Sequence, residues 1–154
     1  MTLNECKDLF SIIGTIATVA AVGSAAFVYW RNSRLERAKW LASLYEKFYE
    51  KEHLKAIREI LDCKDEISLD ITKIIRDESA EFTDYLNFFE FVAFLKTSKQ
   101  LKYEEVEQLF GYYLNCLNRR QNVKEYIKSK DYELLSALLE EFATERKKIA
   151  EKIK

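Results

Sequence analysis

Leu9 to Trp30 reads LFSIIGTIATVAAVGSAAFVYW, 22 consecutive residues without a charged side chain. As a helix rising 1.5 Å per residue, such a run spans roughly 33 Å, enough for a hydrocarbon core of about 30 Å. A cleaved signal peptide has a basic start and a shorter apolar region. Here the preceding residues, Asn4-Glu5-Cys6-Lys7-Asp8, are acidic on balance. Tyr29 and Trp30 close the run where an aromatic belt meets lipid headgroups. The spacing therefore predicts a transmembrane helix over 9–30.

The flank after Trp30 sets the expected orientation. Arg31, Arg34, Arg37 and Lys39 against Glu36 give residues 31–40 a net charge of +3. By the positive-inside rule, 31–154 is then a cytoplasmic helical domain and 1–8 a short extracytoplasmic N-terminus. The expected location is a bacterial inner membrane, crossed once.

The faces of this helix differ. At 100° per residue Gly14, Ala17, Thr18, Ala21, Ser24 and Ala25 share one side, while Leu9, Ile12, Ile16, Val19 and Phe27 share the other. Small residues let membrane helices approach closely, so the first set is the expected packing face of a homo-oligomer. An overlapping near-heptad stripe, with Asp8, Ser11, Thr15, Thr18, Val22 and Tyr29, could line an aqueous path in a ring of helices. The plainer alternative is that its hydroxyls bond back to their own helix carbonyls.

Beyond the run, the chain reads as all-α. It has no proline, and its three glycines are Gly14, Gly23 and Gly111. Sheet proteins need both residue types for turns, and helix interiors tolerate neither well. The first helix is expected to continue to about Tyr49, with Leu41, Leu44, Tyr45 and Phe48 on its packing face. Further helices follow over 51–61 and about 70–76, then one that starts at Ser79 as N-cap. That helix carries Tyr85, Leu86, Phe88, Phe89, Phe91, Val92, Phe94 and Leu95 around most of its circumference and is expected to be central. A long helix over 103–128 and a last helix capped by Asp131 complete the chain.

Chemistry is sparse. His53 is the only histidine, which excludes His-rich metal sites, and it lies on a charged helix without an evident base–nucleophile pairing. The cysteines, Cys6, Cys63 and Cys116, are too scattered for a metal pair or a disulfide framework. No phosphate-binding glycine loop occurs. No cofactor is implied, and the protein is expected not to be an enzyme. Two charge blocks remain: residues 61–90 are net −6, and residues 117–130 are net +4. Arg119, Arg120, Lys124 and Lys128 form a candidate basic interaction surface, for a neighbouring subunit, lipid or RNA. The patch is small and lacks interleaved aromatics, which argues against RNA. The plainer alternative is that the two blocks neutralise each other within the chain. The basic tail after Glu145 could meet anionic lipid.

The segment Leu86–Leu117, LNFFEFVAFLKTSKQLKYEEVEQLFGYYLNCL, resembles a family of small bacterial membrane-anchored helical proteins. The pieces that carry the resemblance are Phe88-Phe89-Glu90, Glu104-Glu105-Val106 and Leu109-Phe110-Gly111-Tyr112-Tyr113. With the N-terminal run and Trp40-Leu41 it extends over most of the chain. The architecture is similar to the transmembrane accessory proteins of type VI-B CRISPR systems. That similarity implies an oligomeric pore that strengthens RNA-guided anti-phage defence, a cytoplasmic defence effector as partner, and a degenerate HEPN-like helical domain. The arginine that a catalytic domain of that kind needs four to six residues before histidine is absent, since Tyr49, Phe48 and Lys47 stand there. Two other functions fit the residues: a membrane tether or adaptor that recruits a cytoplasmic protein, and an RNA-binding domain without nuclease activity.

Overall fold

The computed structural model describes the backbone of residues 3–62 and 69–152, and the side chains of 18, 20–62, 71–148 and 151. Among these the chain is all-α, with α1 (Leu3–Glu50), α2 (Glu52–Asp62), α3 (Leu69–Arg76), α4 (Ala80–Thr97), α5 (Tyr103–Arg119), α6 (Gln121–Ser129) and α7 (Glu133–Lys152) and no strand. The expected run-on of the first helix to about Tyr49 agrees with α1. Asp62 closes α2, and residues 63–68 between α2 and α3 lie outside the described residues. No helix among the described residues is long and apolar enough to cross a membrane. The side chains of residues 9–17 and 19, which supply much of the uncharged run, lie outside them.

The chain divides into two compact units, Met1–Leu44 and Tyr45–Lys154. The second unit is a helical bundle that includes the last turn and a half of α1. Within it α4 packs on α2 and α7, and α5 packs on the same two helices. Phe48 is fully buried at the centre. Its ring lies 5.0 Å from Phe88, 5.4 Å from both Phe89 and Phe110, and 5.1 Å from Tyr113. Most of these are edge-to-face pairs, the arrangement that ring quadrupoles favour. Truncating Phe48 to alanine would cost about 3–5 kcal/mol, the usual loss for a large aromatic in a packed core.

Local signals explain the helix starts. The Ser79 hydroxyl accepts the Phe82 N–H at 3.5 Å and caps α4 as expected. The Glu105 carboxylate accepts the Lys102 N–H at 2.8 Å and closes the first turn of α5. Two expectations need correction. The helix expected over 103–128 breaks at Arg120, whose backbone leaves the helical region at φ −100°, ψ 113°. Its guanidinium turns inward to the Leu61 carbonyl at 2.8 Å, and the break lets Val123 and Ile127 of α6 reach the core. Asp131 does not cap α7 either. It takes a left-handed conformation (φ 58°), and Glu90 of α4 supplies the cap instead, accepting N–H from Leu134 at 3.2 Å and Leu135 at 2.7 Å.

Candidate functional site

The first unit carries the candidate packing and pore-lining residues. Thr18, Ala21, Val22, Ser24, Ala25 and Tyr29 are all exposed on α1. The side chains of Gly14, Ala17, Asp8, Ser11 and Thr15 lie outside the described residues. The Ser24 hydroxyl donates to the Ala20 carbonyl at 2.8 Å, the back-bonding that keeps a hydroxyl satisfied on an apolar helix. At the end of the uncharged run Phe27, Val28, Tyr29 and Trp30 are exposed as well. Phe27 and Trp30 lie 6.4 Å apart, and the Arg34 guanidinium stacks over the Trp30 ring at 4.3 Å. An aromatic pair capped by arginine combines an apolar body with a charged tip.

The second unit rearranges the basic set. Arg119 and Lys128 are exposed and Lys124 is half-buried, but Arg120 is only 5% exposed. Its bond to the Leu61 carbonyl removes it from any surface, so the four do not form one patch. Two lysines of the basic block are met by acids. Lys128 lies 3.4 Å from Glu140, and Lys130 bonds Glu78 at 2.6 Å. This last contact joins the basic block to the acidic one within the chain, and the Glu78 carboxylate raises the Lys130 pKa. A hollow of about 270 Å³ between α5, α6 and α7 is lined by Asn118, Lys124, Lys128, Ser136 and Glu140 among others. Its mixed charge selects no single ligand sign.

His53 sits half-exposed on α2, with Nε2 3.9 Å from Asp84 Oδ2, beyond hydrogen-bond reach. The Ser79 hydroxyl is occupied by Phe82 N–H and the Glu81 carboxylate. Among the described residues no three His, Cys, Asp or Glu side chains converge on a point that could hold a metal. Cys116 is buried, and burial raises its thiol pKa. The Cys6 side chain and the whole of Cys63 lie outside the described residues.

One surface differs from the expectation of a buried α4. Phe91 and Phe94, expected in the core, are each 49% exposed on α4. Their rings are stacked with centroids 6.5 Å apart. The signal was present as a spacing of three within a helix that looked apolar all round.

Comparison with protein-family models, with curated proteins and with solved structures finds no match to this chain.

Proposed function

We propose that this protein is a single-pass membrane protein that self-assembles through its N-terminal helix and acts as a non-enzymatic pore or membrane-perturbing accessory in RNA-guided anti-phage defence. The observation that carries the membrane reading is the uncharged run Leu9–Trp30 lying wholly within one helix, α1. Its described apolar side chains, Val22, Phe27, Val28, Tyr29 and Trp30, find no burial in their own unit. Water does not tolerate such a rod well, and lipid does. The basic flank Arg31–Lys39 orients it with the bundle in the cytoplasm. Self-assembly follows from the small face, Gly14, Ala17, Thr18, Ala21, Ser24 and Ala25, which permits close helix approach. The place in defence follows from the resemblance of Leu86–Leu117 and implies a cytoplasmic effector as partner.

Two measurements test this. In intact spheroplasts an impermeant maleimide labels Cys6 and spares Cys63 until lysis; labelling of Cys63 from outside overturns the orientation. Cys116 is buried and serves as an internal control for unfolding. In reconstituted vesicles Ala21→Leu lowers conductance, whereas Val19→Leu on the opposite face does not. Equal conductance in the two variants removes the small face from assembly and favours the tether.

A further inference from the structure

Most exposed residues of α4, together with its C-cap Ser98, lie on one stripe. Ala80, Asp84, Asn87, Phe91, Phe94 and Ser98 are all exposed, and their spacing alternates four and three. That is the a/d spacing of a coiled-coil seam, which keeps one stripe of a helix facing one partner helix. Apart from Glu81 and Thr97, no other α4 position is exposed. The stripe is apolar in its middle, at the stacked pair Phe91 and Phe94, and polar at both ends. Its N-terminal half borders the neighbouring helices, with Asp84 3.9 Å from His53 of α2 and Asn87 accepting from the Tyr132 hydroxyl just before α7 at 3.2 Å, while Phe91 and Phe94 in its middle stay exposed.

We propose that this stripe docks against the same stripe of a second copy of the chain, with the two α4 helices antiparallel. This rests on the self-association proposed above and adds a second contact to it, in the bundle. Charge selects the partner and its direction. The acids of the exposed face, Glu81 and Asp84, lie at the N-terminal end of α4, and Lys99 lies just beyond its C-terminus. Lys96 is already held by Glu141 of α7. Antiparallel apposition sets Asp84 near the partner's basic end, whereas parallel apposition sets like charges together. Antiparallel packing also opposes the helix dipoles favourably. In an antiparallel seam each a residue faces a d residue of the other helix. Phe91 then stacks on Phe94 of the second copy in two equivalent layers, and Asn87 faces Ser98. Anionic lipid is a poorer occupant, because Glu81 and Asp84 would repel it.

Two phenylalanines per protomer cover far less than the roughly 800 Å² per partner of a stable interface in free solution. The contact therefore works where the anchors already concentrate the protomers, as a second, intramolecular-like binding event.

Disulfide formation tests the pairing, since it requires Cα atoms within about 7 Å. The full-length protein in detergent, with Cys6→Ser, Cys63→Ser and Cys116→Ala, receives Asn87→Cys in one batch and Ser98→Cys in another. On oxidation the mixed batches give a disulfide dimer several-fold above either batch alone, and above a control pair built on exposed Lys55→Cys. Phe91→Glu lowers that yield to the control level while helix content is unchanged. If the particles are oligomeric and the mixed pair stays at control level, the α4 contact is wrong and self-association through the anchor stands, leaving the face for lipid or another protein. If Asn87→Cys alone cross-links best, the packing is parallel and the proposal falls. If the particles are monomeric, both readings fall.

Discussion

The Arg58 guanidinium on α2 donates a hydrogen bond to the Tyr49 carbonyl at the end of α1, at 2.9 Å. Its other nitrogen donates to the Phe48 carbonyl, and the charge lies over both aromatic rings. The last carbonyls of a helix have no partner of their own, so a buried cation there completes α1 and fastens α2 to its end. Arg58→Met should lower the stability of the bundle by about 2–3 kcal/mol, since it leaves two inward carbonyls bare of a charge-assisted donor. Arg58→Lys should recover only part of this, because an ammonium cannot span both carbonyls as a planar fork does. Thermal unfolding followed by circular dichroism reads both variants; a melting point equal to the parent for Arg58→Met would refute the role.

The start of α7 depends on α4 in the same way. With Glu90 accepting from Leu134 and Leu135, Glu90→Ala should cost about 1–2 kcal/mol, the usual loss of a helix cap. Glu90→Gln keeps one acceptor and loses the charge that favours a helix N-terminus, so its cost should be smaller, about 0.5–1 kcal/mol. Denaturant titration separates the two, and hydrogen exchange should localise the loss to the first turn of α7.

Alkaline pH should unfold the bundle. Burial pushes the Tyr49 phenol up to about 12 and raises Tyr85 as well. The fold thus favours the protonated phenol. The unfolded chain gives up these protons near pH 10, so stability is complete below pH 10 and falls from there toward pH 12. The Lys130–Glu78 pair is lost in the same direction, as the raised Lys130 pKa requires. Tyrosinate absorbance should therefore rise together with loss of helix. The fully buried Tyr85 hydroxyl makes no hydrogen bond among the described residues, so Tyr85→Phe should leave stability at neutral pH equal or higher and move the alkaline midpoint upward. A lower midpoint would contradict this account.

The helices were largely legible because their apolar positions recur at three and four, and because Ser79 is a strong cap. The break at Arg120 was not. No proline or glycine marks it, and the amphipathic pattern runs through from α5 to α6; the cause is a tertiary bond to Leu61, 59 positions away. Glu90 as the cap of α7 was hidden for the same reason, since its partner turn lies 45 positions on. Among the site residues, Arg120 read as surface because arginine is usually exposed. The outward turn of Phe91 and Phe94 could have been found by seeking a heptad within α4 rather than counting its apolar residues.

The central claim is self-assembly of an anchored chain, and particle mass in detergent tests it most directly. Each chain contributes 18.2 kDa. Light scattering corrected for bound detergent should give a protein mass that is a whole multiple of this value, at least two, and Ala21→Leu should lower it while Val19→Leu should not. A protein mass of 18.2 kDa for the parent, with the bundle folded, would contradict the account.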